Sequence, residues 1–69
     1  MKYILKDPTF NFPTADRVGS VRGKDVISVI VTPREDVFIE TMVGHWTTFV
    51  RVWINVPFIT QNPQIFQRA

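Results

Sequence analysis

At 69 residues the chain has room for one domain, and a chain this short buries only about 60% of the surface its unfolded form exposes. It has no cysteine and a single histidine, His45, so disulfides are excluded, the usual cysteine-histidine zinc sites cannot form, and neither metal nor cofactor is expected. Eight basic against six acidic residues give a net charge of only +2, a weak footprint for a polyanion binder.

Residues 2–6, Lys2-Tyr3-Ile4-Leu5-Lys6, read as a short strand stopped at Asp7-Pro8, because proline lacks an amide donor and biases its predecessor toward extended geometry. The apolar run there is too brief for a signal peptide, and no stretch approaches the roughly 20 apolar residues of a membrane span. With the absence of cysteine, this sets the expectation of a soluble, cytoplasmic protein. Residues 7–16 read as a loop in which Phe10 and Phe12 alternate, with a single helical turn available at 14–16. Residues 17–25 are polar and basic and contain Gly19 and Gly23. They form either a mobile connection or a short strand over 17–22 with a tight bend at Gly23-Lys24.

From Asp25 the pattern sharpens. Val26-Ile27-Ser28-Val29-Ile30-Val31-Thr32 is almost wholly β-branched and favours a pleated backbone. Pro33-Arg34-Glu35-Asp36 is a polar turn, proline being preset for the first central position of a type I geometry. Residues 37–43 form the next strand, and Gly44-His45 suits a two-residue hairpin loop with glycine at the positive-φ position of a type II′ turn. The third strand runs from Trp46 to Val56, where Pro57 ends the ladder. The fold class is therefore mostly β: a small antiparallel sheet, a three-strand meander over about 25–56 plus one or two short N-terminal strands, with closure into a small barrel as a variant. The whole chain is one domain, and 57–69 is an extended tail or strap of two apolar dyads, Phe58-Ile59 and Ile65-Phe66, around a polar spacer.

A loop at Gly44-His45 fixes the register. Val43/Trp46, Thr41/Thr48, Ile39/Val50 and Val37/Val52 share one face, the core, by the period of two. The other face carries Met42/Thr47, Glu40/Phe49 and Phe38/Arg51, with Trp53 next along and Glu40 diagonal to Arg51. That second face is apolar enough to need a cover. Charge distribution agrees: eleven of the charged residues fall in 1–36, and only Glu40 and Arg51 fall in 37–67. Soluble surfaces normally intersperse charges, so a half this poor in them points to an interface.

Two binding readings follow, and both outrank an enzyme. In the first the chain is a small non-catalytic protein-interaction module that associates with itself or with a host protein. Its anchors are Phe38, Met42, Phe49, Trp53, Phe58, Ile65 and Phe66, since aromatic and methionine side chains dominate interface centres. The tail docks either on its own sheet or on a neighbour. So compact a chain without site chemistry fits a viral or mobile-element accessory protein. In the second reading it binds single-stranded nucleic acid, with Arg17, Arg22, Lys24 and Arg51 meeting phosphates while the aromatics of the sheet stack on bases. The plainer account of that mixture is a second-face core in which Arg51 is tied to Glu40 and lies over Phe38.

No catalytic constellation is legible. His45 reads as a turn residue, and Glu35-Asp36 as solvated turn acids whose side chains diverge. The run Gly19-Ser20-Val21-Arg22-Gly23-Lys24 fails the phosphate-loop spacing, because Lys24 is followed by Asp25.

Overall fold

The computed structural model describes residues 1–15 and 19–69, with the backbone alone at Val43. In chain order the elements are β1 (Lys2–Leu5), β2 (Asn11–Pro13), β3 (Ser20–Arg22), a 3-10 turn over Gly23–Asp25, β4 (Val26–Val31), β5 (Val37–Val43), β6 (Trp46–Arg51), α1 (Val56–Thr60) and β7 (Phe66–Arg68). The β-branched run forms β4, and the meander β4–β5–β6 is antiparallel throughout. Its hairpin register is the one the loop dictates, from Val43 opposite Trp46 through Thr41/Thr48 and Ile39/Val50 to Phe38/Arg51. The Val52 amide continues it by donating to the Val37 carbonyl at 3.1 Å.

β1 pairs antiparallel with β4, Lys2 opposite Ile30 and Tyr3 opposite Val29, and β7 pairs antiparallel with the far side of β1. The result is an open five-stranded sheet in the order β6-β5-β4-β1-β7, with β2 and β3 forming a separate two-stranded ribbon. The sheet does not close into a barrel, because β6 and β7 stand at opposite edges. An isolated bridge between Thr14 and Val52 staples the ribbon to the chain just beyond β6.

One face of the sheet carries the core. Tyr3, Val29, Val31, Val37 and Ile39 are buried together with Phe12 of β2, Ile59 of α1 and Phe66 of β7. Four phenylalanines knit the cover: Phe10 meets Phe12 edge-on at 4.9 Å, and Phe58 and Phe66 lie 5.7 and 5.9 Å from Phe10. Such offset and edge-on arrangements suit the aromatic quadrupole. Both buried hydroxyl side chains are satisfied, Thr41 donating to the Asp25 carbonyl at 2.6 Å and Ser28 to Glu40 Oε1 at 2.8 Å.

Two loops bend on specific residues. Gly44 takes φ 63° at the first position of the β5–β6 hairpin, as the type II′ reading requires. The β4–β5 turn is closed by the Glu35 amide donating to Thr32 O at 2.8 Å and the Thr32 amide donating to Asp36 O at 2.9 Å. It is longer than a plain type I turn, and Glu35 itself sits at φ 66°, the left-handed position that follows a type I turn in three-residue hairpin loops.

The structure departs from the sequence reading chiefly after β6. The third strand stops at Arg51 rather than Val56, and the segment from 57 onward is not an extended strap. Asn55 caps a short helix, its Oδ1 accepting the Phe58 amide at 3.1 Å, and Pro57 sits in the first turn, where its missing donor costs nothing. The chain then returns as β7 on its own sheet. Thr14 bridges to Val52 rather than opening a helical turn. Of the basic segment, Ser20–Arg22 forms a strand, whereas Asp16, Arg17 and Val18 lie outside the described residues.

Candidate docking face

All of the described covering elements lie on the core side of the sheet, so among the described residues nothing covers the other side. Cross-strand register lays out its side chains in rows. Arg51, Phe38, Ile30 and Lys2 form one row, Phe49, Glu40 and Ser28 the next, and Thr47 and Met42 a third. Continuing the β1–β4 register adds Ile4 beside Ser28, with Gln67 beyond it. Ile4, Met42 and Phe49 are 48%, 51% and 58% exposed, and Ile30 and Phe38 are half-buried between them. Scattered exposed apolar residues are ordinary, but five on adjacent positions of one flat surface make a patch of the kind that marks an interaction site.

Charged side chains share this face, Glu40 within the patch and Arg51 at its edge. Glu40 accepts the Ser28 hydroxyl at 2.8 Å, which draws its carboxylate down onto the sheet. Arg51 does not bond Glu40, contrary to the expected pairing. Its Nη2 reaches Asp36 Oδ1 at 3.0 Å because the β4–β5 turn places Asp36 beside the end of β6.

Of the seven expected anchors, the structure gathers three here: Phe38, Met42 and Phe49. Trp53 is 58% exposed but lies past the end of β6, where its amide donates to the Pro13 carbonyl at 2.8 Å. It borders an open groove of about 680 Å³ whose walls include Phe10, Phe58, Asp36 and Arg51. The tail anchors belong to the opposite side. Phe66 is 4% exposed, and Phe58 and Ile65 pack half-buried against the same core, so the tail docks on its own sheet. Sequence reasoning passed over Ile4, whose alternation with the buried Tyr3 already put it on the outer face, and it placed Trp46 on the core face, whereas the indole stands 80% exposed beside the hairpin tip, beyond the reach of the covering elements.

The cations of the nucleic-acid reading are not brought together. Arg22 sits 3.7 Å from Asp25, and Arg51 is held by Asp36. Arg22 and Lys24 lead into Val26, which pairs with Thr41, whereas Arg51 lies across from Phe38 and Ile30. Four residues of strand, about 13 Å, separate the two groups. Arg17 lies outside the described residues. His45 is exposed at the hairpin tip, and among the described residues no group of three His, Asp or Glu could hold a metal ion. Asp7 accepts from both the Thr9 hydroxyl and the Thr9 amide, at 2.6 and 3.0 Å, and the hydroxyl bond above all lowers its pKa from the ordinary 3.8.

Among the described residues, no helix is long and apolar enough to cross a membrane. The chain matches no protein-family model, no curated protein and no solved structure. The functional reading therefore rests on the geometry itself.

Proposed function

We propose that this is a small, non-catalytic protein-interaction module whose bare sheet face docks a protein partner. The observation that carries the reading is the contiguous set Ile4, Ile30, Phe38, Met42 and Phe49 on the side that no described element covers. A folded sheet with one solvated face normally alternates apolar-in with polar-out, and here three of the six outward positions of β5 and β6, Phe38, Met42 and Phe49, are apolar. The partner's surface is mainly apolar with a donor or cation to meet Glu40, whose carboxylate at the centre of the face bonds the Ser28 hydroxyl and no cation among the described residues. Phe49 and Met42 are the anchors, being the most exposed of the set on the meander. The cysteine-free composition supports a reducing compartment, the cytoplasm, as the place of action.

A photo-crosslinking amino acid placed at Met42, Phe49 or Gln61 and activated in an extract of the native host tests this. The reading predicts one protein crosslinked from 42 and 49 but not from exposed Gln61, and lost when Phe38 is replaced by glutamate. Equal crosslinking from all three positions, or none, contradicts it. Nuclease-sensitive crosslinks from 49 would favour the nucleic-acid reading instead.

A further inference from the structure

We propose that β6 pairs with the β6 of a second copy about a twofold axis, with Thr48 facing its own counterpart, to join two five-stranded sheets into one of ten strands. β6 is an edge strand, and from Trp46 to Val50 no described residue pairs with its outer side. Natural edges are normally blunted by charge, proline, glycine bulges or a covering loop. Trp46-Thr47-Thr48-Phe49-Val50 has none of these, and its composition is strongly β-forming.

The backbone pattern selects the partner and the register. In a two-residue hairpin the residues flanking the loop exchange both hydrogen bonds, so Trp46, Thr48 and Val50 turn their amides and carbonyls toward β5. The Val52 amide, bonded to Val37, keeps this parity. Thr47, Phe49 and Arg51 therefore turn theirs outward. The outermost of these is already occupied: the Arg51 carbonyl accepts the Ala15 amide at 3.0 Å, and the Trp53 amide is bonded to Pro13. Among the described residues, nothing meets the amides and carbonyls of Thr47 and Phe49.

One antiparallel self-pairing uses both and avoids the segment at Ala15. It places Thr47 opposite Phe49 of the second copy and Phe49 opposite its Thr47, giving four backbone hydrogen bonds related by the twofold. Thr48 then meets Thr48, and Trp46 lies across from Val50, so that the 80% exposed indole gains a cover. The strand supplies donors and acceptors in matched positions, which is what an isologous contact needs. Because the axis is perpendicular to the sheet, both bare faces end on the same side. The pairing does not depend on what docks there.

Five residues a side is a small contact, so the dimer is weak and is sought at high concentration. The chain lacks cysteine, which makes single-cysteine variants of the full protein unambiguous. In the proposed register Thr48 and its counterpart form a non-hydrogen-bonded pair with Cα atoms about 4.5 Å apart, within disulfide reach. Position 47 faces position 49, so like positions there lie about 8 Å apart, beyond that reach.

Under mild oxidation Thr48→Cys is expected to form covalent dimer on the order of tenfold or more faster than Thr47→Cys or Phe49→Cys. Thr47→Pro removes an outward donor without touching the β5–β6 ladder, and is expected to weaken sedimentation-detected dimer about tenfold with its circular dichroism unchanged. Equal or faster crosslinking at 47 or 49 overturns the proposal, as does a wild-type chain that sediments as a monomer up to about 1 mM, the weak limit of specific association. The crosslinking at 42 and 49 that tests the docking face is read separately, so either idea can fail alone.

Discussion

Replacing Phe66 and Phe49 by alanine separates the two faces of the sheet energetically. Phe66 is 4% exposed, and its ring centroid lies 5.9, 6.2 and 6.0 Å from those of Phe10, Phe12 and Phe58. Truncating a phenylalanine so enclosed costs about 3–5 kcal/mol, from lost transfer free energy and the cavity left behind. A domain of this length has a total stability of roughly 3–10 kcal/mol, so Phe66→Ala removes a third or more and leaves the weaker end of that range unfolded. Phe49 is 58% exposed on the bare face, and its truncation belongs with surface changes of about 0.5 kcal/mol, rising toward 1 for the area it does bury. Urea unfolding followed by far-ultraviolet circular dichroism measures both. Phe66→Ala should lose most of its folding baseline while Phe49→Ala keeps a full folding baseline, its midpoint falling by no more than about 1 M urea, and loses the partner contact. A Phe66→Ala variant within about 1 kcal/mol of wild type would refute the docking of the tail on its own sheet.

Other expectations concern the turns. A Cβ at Gly23 would stand 2.4 Å from the Phe10 carbonyl and 2.8 Å from that of Pro8, so Gly23→Ala should lower the thermal midpoint by more than about 10 °C, a loss of roughly 2–3 kcal/mol, whereas Gly19→Ala, with nothing within 4 Å, should hold or slightly raise it in the same melt. Glu35→Gly should stabilise by about 0.5–1 kcal/mol in urea titrations, because glycine adopts φ 66° without the steric cost a side chain bears there. Asp7 should titrate below the ordinary 3.8 by carboxyl NMR; its depressed native pKa stabilises the fold above that value, and this contribution fades as pH falls through the native pKa and shrinks in Thr9→Ala, which loses the hydroxyl bond but keeps the backbone amide bond.

The meander was legible because three local signals agreed. The β-branched run at 26–32 marks a strand, proline and glycine mark the two turns, and the Gly44-His45 loop alone set the register that separated Ile39 and Val50 from Glu40 and Phe49. The tail was misread for want of a long-range signal. Pro57 reads equally as a strand stop or as a first-turn helix residue, and Asn55 two positions earlier was the capping clue that decides it. Nothing local says that Phe58 meets Phe10 or that Phe66 meets Phe12, about fifty residues away, since aromatic packing carries no spacing rule. The same blindness placed three core residues among the docking anchors. Arg51 was assigned to Glu40 by strand geometry, but the turn at Asp36 lay closer in space.

The most direct test of an uncovered apolar face is methyl relaxation by a soluble paramagnetic probe at concentrations where the chain is monomeric. The account predicts strong broadening at Ile4 and Met42 and little at Ile39 and Ile59, which are buried beneath the ribbon and helix. Protection of Ile4 and Met42 to the level of Ile39 would mean that the chain shields both sides of its sheet by itself, and would contradict the proposed docking face.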